Sequence, residues 1–166
     1  MSLDYILKLG NPKLYEVSFP VNEEDMEKVF QKVELMDQFI TDFRLKYNSG
    51  RAIAAPQVGY FKRFIYLRID KPYIIINPEL TQKSKEMIEL WDDCMSFPDL
   101  LVRVKRHKKC RLQFFDESWK KHEWSLEDDL SELLQHEYDH LNGILATQRA
   151  IDKRSFAWRT EINHLS

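Results

Sequence analysis

A chain of 166 residues is long enough for one hydrophobic core, and its 25 basic and 27 acidic side chains leave a net charge of -2, which gives no basis for a nucleic-acid or anionic-membrane partner. No run approaches the roughly 18 apolar residues of a membrane span, and the N-terminus lacks the apolar core of a signal peptide, so one cytoplasmic domain over residues 1–166 is expected, of unspecified oligomeric state. In a reducing compartment Cys94 and Cys110 are poor disulfide candidates, which leaves ligation, catalysis or packing as their roles.

Taken in order, residues 3–9 lead to the turn signal Gly10-Asn11-Pro12, and an extended stretch follows as far as Pro20. Asn22 then caps a predicted helix. Glu23, Glu24 and Asp25 fill its first turn, and Met26, Val29, Val33, Met36, Phe39 or Ile40, and Phe43 recur at helical spacing until Asn48-Ser49-Gly50 ends it. From Gly50 to Gly59 small residues replace the periodic ones. They allow a backbone or ligand to come close, and Gln57 offers both an amide donor and an acceptor there; on composition alone, a tight helix-to-strand connection is the plainer reading.

Strands are predicted over 61–69, 73–76, 87–91, 102–107 and 110–115, with turns at Asp70-Lys71-Pro72, Asn77-Pro78 and 116–118. A candidate helix at 81–85 is too short for a parallel crossover, so the sheet should be antiparallel or mixed. The basic run from Arg103 to Lys109 alternates with apolar residues and reads as the solvated edge of a strand. Cys110 reads as packing, and His107, His122 and His164 as surface histidines.

Residues 133–143 concentrate the chemistry. In His136-Glu137-x-x-His140, helical spacing sets two imidazoles on one face for a single metal ion, with Glu137 one step round. Ser125 and Asp128 resemble a capping box, with Glu127, Asp128 and Asp129 in the first turn. Leu130, Leu133, Leu134 and Leu141 form an apolar arc with Glu137 near its middle, so a carboxylate is aimed inward, where it needs a compensating partner. The plainer alternative is a surface helix whose histidines pair with Asp139 and Glu132. Gly143 stops the pattern, and 152–165 reads as a final helix.

Two histidines leave a catalytic metal site short of a third protein ligand. A histidine just past the motif, as in His-Glu-x-x-His-x-x-Gly-x-x-His, is excluded because Ala146 holds that position. Glu161 on the predicted last helix would make a zinc-protease site. Cys94, at a strand end within residues 91–98, could instead supply a thiolate. Spacing alone does not choose between them.

Three ordered segments carry a resemblance: Gly50-Arg-Ala-Ile-Ala-Ala-Pro-Gln57, Asp92-Asp-Cys-Met-Ser96 and Gln135-His-Glu-Tyr-Asp-His140. They are similar to the peptide deformylase patterns Gly-x-Gly-x-Ala-Ala-x-Gln, Glu-Gly-Cys-x-Ser and Gln-His-Glu-x-Asp-His, with further similarity at residues 6–12, at 76–78 and at Gly143. The resemblance implies an α+β fold, with antiparallel or mixed sheets around a central motif helix and a helix towards each end of the chain. It implies Cys94, His136 and His140 as ligands of one divalent metal ion, Fe(II) in the cell, with Zn(II) or Ni(II) able to occupy the site. Glu137 becomes the acid/base, and Gln57 and a backbone N–H near Met95 become donors to the substrate carbonyl. The implied reaction releases formate from an N-formylmethionyl peptide or a related small formamide.

The chain departs from the family at Ala52, where the second glycine stands, and at Asp92-Asp93, where Glu-Gly stands. Each change adds atoms where the family's backbone lies close to the substrate, and Asp93 adds charge there. Asp92 is expected to hold Arg106. Two alternatives stay open: an amidase acting on a non-peptide formamide, and a non-catalytic descendant that binds ligands in the old cleft.

Overall fold

Met26 to Phe43 keep their apolar spacing because they belong to one long helix, α1 (Met26–Tyr47), in the computed structural model, which describes residues 3–166. The helix is entered through a 3-10 turn, Glu23–Asp25, where the Asn22 N–H donates to Asp25 Oδ2 at 2.8 Å. It stops at Asn48, whose φ of 52° turns the chain left-handed.

After α1 come β1 (Ala52–Ala54), a 3-10 turn at Ala55–Val58, β2 (Phe64–Arg68), β3 (Pro72–Thr81), β4 (Met87–Asp92), β5 (Leu100–His107), β6 (Lys109–Phe115) and β7 (Lys121–Glu127). Helix α2 (Asp128–Leu141) follows, then a 3-10 turn at Ala146–Arg149, β8 (Phe156–Trp158) and a 3-10 helix at Arg159–His164. The strands form two sheets, in the orders β1-β2-β3-β6-β7 and β4-β5-β8, and each of these pairings is antiparallel.

The larger sheet is covered on both faces, which is why β2 reads as a continuous apolar run. Phe64 and Tyr66 pack with Met36, Phe39 and Phe43 of α1, while Ile65 and Leu67 pack with Leu133, Leu134 and Leu141 of α2. Helix α2 is therefore central, and from Ser131 to Leu141 only Tyr138 escapes burial. It ends at Gly143, whose φ is 70°; a Cβ there would lie 2.4 Å from the Tyr15 carbonyl oxygen, so glycine is required. No helix among the described residues is long and apolar enough to cross a membrane.

Several local expectations are corrected. Asn77-Pro78 does not end a strand but forms a bulge in β3, with the register shifting between Ile76 and Glu79. The Asn77 side chain stabilises it by accepting the Val21 N–H at 2.8 Å and donating to the Val21 carbonyl at 3.0 Å. Residues 82–86 hold no helix. Ser125 lies in β7, so its capping box with Asp128 does not form. The stretch from 11 to 20, expected to be extended, contains a 3-10 turn at Pro12–Tyr15. The C-terminal helical segment is shorter than 152–165, because β8 first adds an edge strand to β5. The basic run of β5 is not a solvated edge: β5 is the middle strand of its sheet, and Arg106 is 2% exposed.

Candidate metal centre

Strand β4 ends at Asp92 and turns its chain towards α2, which brings the Cys94 side chain against two histidines one helical turn apart. Among the described residues, Cys94, His136 and His140 are all buried, and each offers a ligand atom within 4.8 Å of the others. Cys94 Sγ lies 3.3 Å from His140 Nε2, and the two imidazole rings stand edge to face with centroids 5.0 Å apart. One thiol sulfur and two imidazole nitrogens, buried together and converging on one point, are a donor set whose chemistry would suit a single divalent ion.

The surroundings orient the donors. His136 Nδ1 donates to Asp92 Oδ2 at 2.8 Å, turning its other ring nitrogen inward. Arg106, from β5, donates to Asp92 at 2.8 Å and to Asp139 of α2 at 3.0 Å, and Arg149 adds bonds to Asp139 at 2.6 and 2.8 Å. The expected Asp92–Arg106 pair is thus present. The alternative pairing of the histidines with Asp139 and Glu132 is not, because those carboxylates are held by arginines. Ser96 N–H and Gln57 Nε2 each lie 3.5 Å from Cys94 Sγ, where they can donate to a thiolate.

Charge follows from this arrangement. Burial opposes ionisation of Asp92, but the attraction of His136 and Arg106 outweighs it and holds the carboxyl at about 2. Burial, then His136, pushes His140 well below the ordinary imidazole value, so it stays neutral with a lone pair to give. At Glu137 burial dominates, opposed by His136, and the carboxyl is pushed up to about 7. Among the described residues its Oε2 has no hydrogen-bond partner, and neither has His140 Nδ1.

A cavity of about 150 Å³ opens beside these residues, and Gln57, Ala52, Asp93, Met95 and Glu137 all line it. Gln57 is fixed at its other end, where Oε1 accepts the Ala54 N–H at 2.9 Å, and Nε2 also donates to Ser96 Oγ at 3.1 Å. Asp93 does not stand as a free charge: its Oδ2 accepts from Ser49 at 2.8 Å and from Arg159 at 2.8 Å. Glu161 is exposed beside His164, which excludes it from the group and removes the protease arrangement. His107 and His122 are half-buried rather than surface histidines: His107 Nδ1 lies 2.7 Å from the Ser84 carbonyl oxygen and His122 Nε2 lies 2.6 Å from Asp116.

Sequence reasoning missed Arg51 and took Glu132 only as a surface partner of the histidines; the two pair at 2.9 Å on the cavity wall. The available signal was a carboxylate one helical turn before His136, on the face that carries the motif.

Comparison with known proteins gives a consistent picture. Residues 3–156 match the model of the family described as polypeptide deformylase. The peptide deformylase of Leptospira biflexa serovar Patoc is 31% identical over 176 residues, covering 98% of this chain and 96% of that protein. The crystal structure of the peptide deformylase from Thermotoga maritima superposes with a TM-score of 0.80 at 30% identity, covering 89% of this chain and 97% of that one. A Met-Ala-Ser-bound peptide deformylase from Acinetobacter baumannii superposes with a TM-score of 0.77 at 27% identity, covering 87% and 96%.

Proposed function

This chain belongs to the polypeptide deformylase family, whose reaction is metal-dependent removal of the N-formyl group from nascent peptides, and from that premise we propose how its residues divide the work. Residues 1–166 act as one domain, in the cytoplasm, on an N-formylated peptide. Cys94, His136 and His140 hold one divalent ion, Fe(II) in the cell, with Zn(II) or Ni(II) able to take its place. One thiolate with two imidazoles suits either zinc or ferrous iron, and the family resemblance favours iron. When bound, such an ion supplies Lewis acidity, which acidifies water towards neutral pH and polarises a carbonyl.

The protein's own groups supply the rest. Asp92, anchored by Arg106, keeps the His136 ring in one orientation. Glu137 takes a proton from water and delivers it to the departing amine nitrogen. A carboxyl held near 7 suits both halves of that transfer, because acceptance and release are then closely balanced at neutral pH. Gln57 Nε2 and the Met95 N–H donate to the oxygen on which charge develops; one such donor is typically worth about 3 to 4 kcal/mol. Ala52 and Asp93 border the path of the substrate backbone. The products are formate and a free amine.

The observation that carries this reading is the convergence of one sulfur and two ring nitrogens beside a buried carboxyl whose Oε2 has no hydrogen-bond partner among the described residues. Metal content and formate release from N-formyl-Met-Ala-Ser test it. Turnover is expected with about one ion per chain. Glu137→Gln should lose about 10² to 10⁴ in kcat and keep its ion, whereas Cys94→Ala should lose the ion. Full turnover in the first variant or full metal content in the second would overturn the assignment.

A further inference from the structure

Where the chain departs from the family pattern at residue 93, the cavity beside the three donors carries a carboxylate. Asp93 stands directly before Cys94, lines the cavity, and keeps 33% of its side chain exposed. Its Oδ2 is shared by two donors from distant parts of the chain: Ser49 Oγ at 2.8 Å, from the segment after α1, and Arg159 Nη2 at 2.8 Å, from the last 3-10 helix. Arg159 is not itself a lining residue. Three further contacts fix it: its Nε donates to the Pro98 carbonyl at 2.7 Å, its backbone N–H donates to the Asp99 carbonyl at 2.8 Å, and its guanidinium carbon lies 5.3 Å from the centroid of the Tyr47 ring.

This arrangement separates a charge from the group that answers it. Residue 93 lies inside the region matched by the family model, at a position where the family pattern has glycine, whereas Arg159 lies beyond residue 156, where that match ends. Two other carboxylates of the wall are answered from elsewhere: Asp92 by Arg106 and His136, and Glu132 by Arg51. Of these three, Asp93 alone depends on the C-terminal segment. A peptide whose formyl end sits at the donors continues outward at about 3.3 Å per residue, which carries the residue after the methionine past the neighbour of Cys94. An unanswered charge there would sort peptides by the charge of that residue, and at about 4 Å in a water-like dielectric one unit charge acting on another is worth about fivefold in binding. Nascent peptides differ at that residue, so a neutral mouth suits them.

We propose that Arg159 is a positioning residue for this reaction: by pairing with Asp93 it keeps the cavity mouth neutral, so that formylmethionyl peptides are accepted whatever the charge of the residue after the methionine. The inference rests on the deformylase reading above and deepens it. Arg159 acts through Asp93 and touches no reacting atom; the scissile bond is left to Glu137.

Formate release from N-formyl-Met-Ala-Ser, N-formyl-Met-Asp-Ser and N-formyl-Met-Lys-Ser at low ionic strength tests it, with metal content measured in parallel. In the wild type, kcat/KM for the three peptides should agree within about threefold. Arg159→Met leaves Asp93 unanswered and should raise KM for the aspartyl peptide about fivefold while lowering it for the lysyl one, the change appearing in KM rather than in kcat. Asp93→Asn, which keeps the shape of the wall, leaves Arg159 unanswered and should reverse that order. In Asp93→Asn/Arg159→Met the three peptides should come together again, and added salt should flatten the differences seen in the single variants. A wild type that separates the peptides by more than about threefold, or single variants in which all three peptides change by one common factor, would overturn this inference alone, the latter result making the pair a tie within the fold. Absence of formate from all three peptides with the wild type would overturn the deformylase reading and this inference with it.

Discussion

At Glu132 burial, then the nearby charge of Asp92, pushes the carboxyl up to about 7, with Arg51 pulling the other way. The folded chain therefore holds this proton more tightly than the unfolded chain, whose carboxyl titrates near 4.5. The resulting stabilisation is complete below about pH 4.5 and is lost as the pH rises through about 7; at 1.36 kcal/mol per pKa unit it amounts to about 3 kcal/mol. Denaturant unfolding of the wild type and of Glu132→Gln at about pH 4.5 and about pH 8 checks this. The wild type should lose about 3 kcal/mol relative to the variant across that interval, whereas a constant difference would mean an ordinary carboxyl. The same pair marks where residue-level reading of the sequence stopped. Residues 51 and 132 are far apart in the chain, and no local pattern joins them. Cys94 and Glu161 likewise stood level on spacing, and the difference between them is tertiary: one lies at a buried strand end facing α2, the other on an exposed 3-10 helix.

Elements were legible where burial is one-sided and periodic or where it is complete. Helix α1 announces itself by spacing and β2 by its unbroken apolar run, because one contributes a single face to the core and the other lies between two helices. Strand β7 hid because it is an edge strand in which Leu126 is the one buried residue, and its polar sequence passed for a turn and a helix cap. Strand β8 is three residues long and depends on β5 for its existence. The bulge in β3 hid behind Asn77-Pro78, a good turn signal that Val21 overrides from elsewhere in the chain. The end of α2 was foreseen at Gly143, but its reason is only visible in three dimensions. A side chain there would meet the backbone of Tyr15, which cannot yield without shifting Ser18, whose N–H donates to the Leu141 carbonyl at 2.9 Å. Gly143→Ala combines that clash with a left-handed φ and should cost at least about 2 kcal/mol, lowering the melting temperature by about 4 to 8 °C. A thermal scan checks it, and a shift below about 1 °C would mean that the N-terminal segment gives way freely.

Across the whole molecule the two sheets and the central helix are joined by charge as well as by packing. Arg106 lies in the middle strand of the smaller sheet, is 2% exposed, and donates both to the last residue of β4 and to α2. Its removal would not affect the two carboxylates equally. Asp139 keeps both bonds from Arg149, whereas Asp92 would be left buried with the His136 ring as its remaining partner. Removing one member of a buried charge network typically costs about 3 to 5 kcal/mol, because the charge left behind has no water to return to. Arg106→Met should therefore lose stability on that scale. It should also loosen the orientation of His136 and weaken metal retention by about 10- to 100-fold, although residue 106 is not among the three donors. Denaturant unfolding and competition with a chelator measure the two effects on one sample. If stability falls while metal affinity stays at the wild-type value, Asp92 is held in place by the backbone of β4 alone, and the smaller sheet supports the centre only through the position of its strand end.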